Sequence, residues 1–287
     1  MPEALINGVK LYYEIHGEGF PLVWCHEFAA DYRSWKAQVK FFSRQFRVVV
    51  YNARGYPPSD VPIHLGSYTQ EQAMEDLRGL IDYLHIIQAH IGGHSMGGSV
   101  ALTFALKYPQ MVRSLILAGT GTGSNNPEFF RRRIDEFARR LEANGTTSLA
   151  DYGNGPQRIQ LLRKNPKTWQ TFNTHLLQQS NIGLALTLRG IQGKRPSLFS
   201  LETELRLFDV PTLIVLGDED DPCIEPSLFL KRCISRSGLA VFPQTGHTVN
   251  MEEPDLFNET VLNFLRAVDA DNWPRRDMGI PSAALVP

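Results

Sequence analysis

Residues 91 to 99 read IGGHSMGGS, and the reading of this stretch decides the fold. Four glycines crowd one serine directly after a short apolar run, and SVALTFALKYP (99–109) follows with a helical pattern. A bare G-x-S-x-G, here Gly93, Ser95 and Gly97, is a weak signal; between a buried strand and a helix it describes a nucleophile elbow. A sharp turn there forces the serine into strained backbone angles. The residues two before and two after it must then lack a Cβ to avoid collision. The turn lifts the Ser95 hydroxyl above a sheet and sets it at a helix N-terminus, where free N–H groups and the dipole favour developing negative charge.

A serine hydroxyl is nearly inert at neutral pH, so Ser95 needs a histidine base and an acid to orient that base. In proteins whose serine sits on such an elbow, the chain order is Ser, acid, His. LIVLGDEDDPCIEP (213–226) ends an apolar run in an acidic turn, and LAVFPQTGHTVNMEEP (239–254) ends the next in Gly-His. His247 is the only histidine after His175, so the order singles it out. Among Asp218, Glu219, Asp220 and Asp221 the choice is Asp220, third after Gly217, with Asp221 the runner-up.

Outward from these motifs, apolar runs alternate with helical patterns. The runs PLVWC (21–25), RVVVY (47–51), AHIGG (89–93), SLILAG (114–119), PTLIVLG (211–217) and LAVFP (239–243) suit strands buried on both faces of a parallel sheet. EALINGVKLYYEIHG (3–17) alternates around Asn7-Gly8 and predicts an antiparallel hairpin in front of them. Ala73, Leu77, Leu80, Ile81 and Leu84 share one helical face, as do Leu256, Phe257, Val261, Phe264 and Leu265. The class is α/β: a mostly parallel central sheet flanked by helices.

The alternation stops between Gly123 and Leu205, which predicts an inserted helical cap over 123–205. The core is then 1–122 with 206–268, followed by an irregular C-terminal extension over 269–287. The insert holds 12 Lys and Arg against 7 Asp and Glu. Solvated helix faces are the plainest reading of that excess. A sharper one gives an arginine of the insert a substrate carboxylate to anchor. Trp35, Phe129, Phe130, Trp169 and Phe172 are expected chiefly in core packing, with pocket lining the second reading.

The chain of 287 residues has 29 Lys and Arg against 30 Asp and Glu, a net charge of −1 that argues against nucleic-acid or membrane-surface partners. Cys25, Cys223 and Cys233 form no C-x-x-C pair, so neither a disulfide framework nor a zinc site is indicated. No basic-then-apolar leader opens the chain and no run reaches about 18 apolar residues, so the expectation is a soluble cytoplasmic protein. Its partner is a small-molecule substrate, and a homodimer stays open.

With GHSMGG (93–98), LVWCHEF (22–28), NARGYPPSD (52–60) and the Asp and His ends in place, the sequence resembles the α/β-hydrolase fold superfamily. Within it, the resemblance is to the cap-bearing group of esterases, enol-lactonases and carbon–carbon bond hydrolases, from about Glu3 to Val268. It implies an oxyanion hole from the backbone N–H groups of Met96 and Phe28. Two departures stand out. His26-Glu27 replaces the usual His-Gly, and a carboxylate aimed at the hole would oppose an oxyanion, so Glu27 is expected to point away from Ser95. Asn52 stands where the family's Asp-x-Arg-Gly has aspartate; Arg54 and Gly55 read as scaffold, and His26 and His94 as loop-ordering residues.

The expected activity is hydrolysis of a carboxylic ester or lactone by Ser95, His247 and Asp220 through an acyl-enzyme, with no metal or organic cofactor required. Hydrolysis of a β-diketone or vinylogous carbon–carbon bond by the same triad is the alternative. A slow-turnover receptor or binding module on the same scaffold is the reading from another class.

Overall fold

The computed structural model describes residues 2–150 and 152–277. Every apolar run named above becomes a strand. The strands are β1 (Glu3–Ile6), β2 (Val9–His16), β3 (Phe20–Cys25), β4 (Phe46–Tyr51), β5 (Ala89–His94), β6 (Val112–Ala118), β7 (Thr212–Gly217) and β8 (Ser237–Phe242). They form one sheet in the order β1-β2-β4-β3-β5-β6-β7-β8. The first two pairings, β1 with β2 and β2 with β4, are antiparallel, and all later ones are parallel. Asn7 and Gly8 both take positive φ, 47° and 78°, the pair of angles a two-residue hairpin turn needs.

Helices fill the connections: α1 (Lys36–Phe42), α2 (Gln70–Tyr83) and α3 (Met96–Lys107) before the insert. The insert holds α4 (Pro127–Asn144), α5 (Ile159–Lys164), α6 (Pro166–Leu177), α7 (Asn181–Thr187) and a π-helical turn over Leu188–Gln192. α8 (Glu202–Leu207) straddles its end, and α9 (Asp221–Cys233), α10 (Val249–Glu252) and α11 (Pro254–Asp269) follow. No described residue between β6 and β7 lies in a strand.

Strand alternation sends successive side chains to opposite faces, so the continuous apolar runs supply two cores at once. Leu22, Trp24, Val48, Val50, Ile116 and Ala118 face α1 and α11, where Phe42, Phe257, Val261 and Leu265 meet them. Their neighbours Val23, Cys25, Val49, Leu115 and Leu117 face α2, α3 and the insert. Trp35 belongs to the first of these cores, stacked on Trp24 with ring centroids 4.4 Å apart. Arg54 is scaffold: it is buried and makes a two-point ion pair with Asp76 at 2.5 and 2.7 Å that ties the loop after β4 to α2.

The helix α11 packs on the sheet, and the described residues beyond it, 270–277, lie in no helix or strand. Trp273 is nonetheless tied down: it packs edge-on against Phe264 and its Nε1 donates to the Arg236 carbonyl at 2.9 Å. Residues 278–287, the remainder of the expected extension, lie outside the described residues. Among the described residues no helix is long and apolar enough to cross a membrane.

Candidate active site

Parallel strands deliver their carboxyl ends to one edge, and the loops leaving that edge carry the candidate residues. Ser95 links β5 to α3, with φ 53° and ψ −109°. That strain is held by close packing: a Cβ on Gly93 would lie 2.3 Å from the Gly97 carbonyl oxygen, and one on Gly97 would lie 2.2 Å from the Cys25 carbonyl oxygen. Only hydrogen fits at either position, which is the physical content of the two glycines. The Ser95 N–H donates to the Ala118 carbonyl at 2.8 Å and fixes the turn to the next strand.

Asp220 follows β7 and is fully buried; its Oδ2 lies 2.8 Å from Nδ1 of His247, in the loop after β8. Burial pushes the Asp220 carboxyl upward, but the adjacent imidazole outweighs it and holds the carboxyl below the ordinary aspartate value. Asp221, the runner-up, is exposed and opens α9. Ser95, His247 and Phe28 line one cavity of about 330 Å³ under the insert. Among the described residues the Ser95 hydroxyl has no hydrogen-bond partner, and so none with His247; this bond commonly tightens only once substrate is bound. Met96 is the first residue of α3, so its N–H is one of those a helix leaves without an internal acceptor. A larger cleft of about 590 Å³ opens around Pro109, Phe208 and Asp271 at the opposite end of the strands, and none of the triad candidates lines it.

Glu27 is not among the residues that line the cavity. It is fully buried in an ion pair with Arg158 of the insert, whose two terminal nitrogens lie 2.5 and 3.3 Å from its oxygens. His94 Nδ1 lies 3.4 Å from the same carboxylate, and His94 Nε2 donates to the His247 carbonyl at 2.7 Å. Burial alone would raise the Glu27 carboxyl, yet Arg158 and then His94 hold it well below the usual carboxylate range. The loop's positive φ, 63°, falls at Ala29 rather than at Glu27, so a side chain at 27 carries no left-handed strain. His26 orders the same loop: its Nδ1 donates to the Glu27 carbonyl and its Nε2 accepts from the Ala53 N–H.

The neighbourhood of His247 contains residues that no motif singled out. The His247 N–H donates to the Gln157 carbonyl at 2.6 Å, so the insert grips the histidine loop as well as the Glu27 loop. Glu252 accepts from the N–H groups of Gly246 and Thr248 and from the Thr248 hydroxyl, clamping both sides of His247. The four-residue spacing from Thr248 to Glu252 is a local signal that would have found the clamp. The Gln157 contact is a backbone carbonyl and leaves none. Of the five aromatics considered above, only Phe130 lines the cavity, where Phe28, Phe137 and Tyr152 join it. Phe129 is exposed, and Trp169 donates to the Gly153 carbonyl within the insert.

Two buried groups, Glu27 with His94 and His247, and Asp220 with Cys223 and His247, bring potential metal-ligating atoms within 4.8 Å of one another. Their donor atoms are already engaged: His247 Nδ1 with Asp220, Glu27 with the Arg158 cation. A guanidinium beside the carboxylate disfavours a second cation there.

Replacing Glu27 with Gln leaves the Arg158 guanidinium buried without its counter-charge, and unfolding free energy at pH 7 is expected to drop by about 3–5 kcal/mol. The advantage of the native residue should be full above the unfolded glutamate pKa of about 4.3. It should decline as pH falls toward the depressed folded value. Urea unfolding of both proteins at pH 7 and at pH 4 and below checks this, and an unchanged gap would be inconsistent with the ion pair.

The family model described as alpha/beta hydrolase fold matches residues 21–254. The chain is 27% identical to the 2-hydroxymuconate semialdehyde hydrolase of Pseudomonas sp. (strain CF600), over 93% of this chain and 94% of that protein. Among solved structures it is similar to the enol-lactonase from Burkholderia xenovorans LB400, with a TM-score of 0.82, 27% identity, and coverage of 92% of this chain and 100% of that one. It is equally similar in fold to a thermophilic esterase from Thermogutta terrifontis, with a TM-score of 0.82, 30% identity, and coverage of 91% and 94%. With the serine on its strained turn, the mostly parallel eight-stranded sheet and a family match across most of its length, this chain belongs to the α/β-hydrolase fold family and is a hydrolase.

Proposed function

We propose that the protein cleaves a carboxylic ester or lactone through an acyl-enzyme, with Ser95 as nucleophile, His247 as base and Asp220 as its orienting acid. The observation that carries this reading is the buried His247 Nδ1–Asp220 contact at 2.8 Å beside a cavity that Ser95 and His247 share. An aspartate on Nδ1 keeps that proton in place and leaves Nε2 free to accept one. In the first step Ser95 Oγ bonds to the substrate carbonyl carbon while its proton passes to His247 Nε2. The backbone N–H groups of Met96 and Phe28 receive the oxygen that becomes negative. His247 then returns the proton to the departing alkoxide, leaving the acyl group on Ser95. Water, deprotonated by the same imidazole, releases the acid and restores the hydroxyl.

The cavity wall suits the acid part of such a substrate: Phe28, Phe130, Phe137 and Ile134 supply apolar surface around the serine. A panel of chromogenic esters, lactones and β-diketones separates this reading from carbon–carbon bond hydrolysis. The expected result is a burst followed by sustained turnover with an ester or lactone, together with a fluorophosphonate adduct on the peptide that contains Ser95. Turnover confined to the diketones would replace the reading, and labelling without turnover would point to a binding protein.

A further inference from the structure

Two arginines of the insert line the cavity that holds Ser95, and their circumstances differ. Arg158 has Glu27 as its counter-ion. Arg195 has no carboxylate within ion-pair distance among the described residues. Its Nη1 donates to the Ser99 hydroxyl at 3.1 Å and its Nη2 to the Thr122 carbonyl at 2.6 Å. A guanidinium carries five N–H donors, so three remain uncommitted. The surrounding protein draws water away from this cation and brings its pKa down to about 10, as expected where no anion compensates the lost hydration.

Beside it, Gln192 is buried and its Oε1 finds no hydrogen-bond partner among the described residues. A side-chain amide can turn either its oxygen or its NH2 toward a ligand. Arg195 and Gln192 also line a second cavity, of about 490 Å³, which shares Thr122 and Phe130 with the first. That second cavity adds Arg131 and Lys194 to its lining, and among the described residues no Asp or Glu lines either one. Where the two meet, the described wall is cationic and amide-bearing.

We infer that Arg195 and Gln192 form a subsite for a free carboxylate on the substrate, so that the preferred ester or lactone carries a second acid group at the end of its acid part away from the scissile bond. This rests on the ester or lactone reading of the Ser95 site, and it narrows that reading to a class. A carboxylate suits the site because one guanidinium edge receives its two oxygens in a planar fork, while a neutral amide adds a donor without requiring a second charge on the ligand.

The test compares mono(p-nitrophenyl) adipate with its neutral methyl ester, the two having the same chain and leaving group. In the native protein kcat/KM for the charged ester is expected to exceed that for the neutral one by about tenfold or more. In Arg195→Met the ratio should fall to about one or below. Arg195→Lys, which keeps the charge but not the fork, should retain part of it. Lys167→Met, at an exposed position of the insert, should leave the ratio unaltered and so separate a local guanidinium from the general charge of the insert. The ratio is the readout, so a general loss of activity from altered packing does not imitate the result. A native ratio of one or less, or a ratio that survives Arg195→Met, overturns the subsite while neutral-ester turnover still upholds the hydrolase reading. If neither ester is cleaved, calorimetry of adipate against adipamide decides the subsite independently. Selective adipate binding that Arg195→Met abolishes supports it, and equal or absent binding of the two overturns it.

Discussion

Ser95→Ala is expected to lower kcat toward its ester substrate by about a million-fold while the protein stays folded, since triad members act as a unit and the loss of the nucleophile removes the covalent route entirely. What remains is catalysis by the oxyanion donors and by substrate binding, which acts on direct attack by water. The substitution introduces no steric conflict, because alanine keeps the Cβ and removes only Oγ. Backbone strain at this position, φ 53°, is imposed by the packing of Gly93 and Gly97 and does not depend on the hydroxyl. Steady-state rates with a chromogenic ester, alongside a urea unfolding curve, check both halves. Turnover within tenfold of the native protein would remove Ser95 from the chemistry.

Asp220→Asn is expected to lower kcat by about 10⁴-fold, nearly as much, through the tautomer of His247 rather than through its position. The native carboxylate accepts from Nδ1 at 2.8 Å and so leaves Nε2 unprotonated and able to take the serine proton. An amide NH2 in the same place donates, which favours the proton on Nε2, where it blocks that step. Asp221→Asn, on an exposed side chain one residue later, should change kcat by less than twofold. Nitrogen NMR of the histidine ring supplies a readout that a structural role would not move: the protonated and unprotonated ring nitrogens should exchange identities in Asp220→Asn. An unaltered tautomer with full activity would mean that another group orients the base.

The cost of losing either residue is set by a network much wider than three side chains. Gln157 and Arg158 come from one short segment of the insert, and they hold the His247 backbone and the Glu27 carboxylate respectively. The His247 loop and the loop bearing Phe28 are therefore fastened to the same piece of chain. Glu27 departs from the family's usual glycine without strain, because the left-handed residue of that loop is Ala29. The buried negative charge is matched by Arg158, 131 positions away along the chain.

Much of the site was legible because the relevant physics is local. Gly93, Ser95 and Gly97 stand in one turn, and the collision that forbids a Cβ on Gly93 is with Gly97 of that same turn, whereas the one that forbids a Cβ on Gly97 is with Cys25 on the neighbouring strand. The apolar runs state by their continuity that both faces of each strand are covered, and the order of acid and histidine is the one that the resemblance to the α/β-hydrolase family implies. Choosing Asp220 over Asp221 was already near the limit of such reasoning: one residue separates a fully buried acid from an exposed helix-opening one. The aromatics of the insert lay beyond it. Composition marks Phe130 and Phe129 alike as apolar, yet helix phase puts the first on the cavity wall and the second in solvent.

By itself, then, the sequence determined the sheet and the elbow, since these follow from the continuity of the apolar runs and the glycines of one turn, and the family resemblance marked the three candidate catalytic side chains. Tertiary structure alone decided which charges of the insert are neutralised and which are not. Arg158 and Arg195 are equivalent in composition and line one cavity, and only the folding of the insert over the strand ends places a glutamate against the first and, among the described residues, no carboxylate against the second. The reason is that electrostatic pairing depends on through-space distance and on the removal of water, and neither quantity is written in the spacing of residues along a chain.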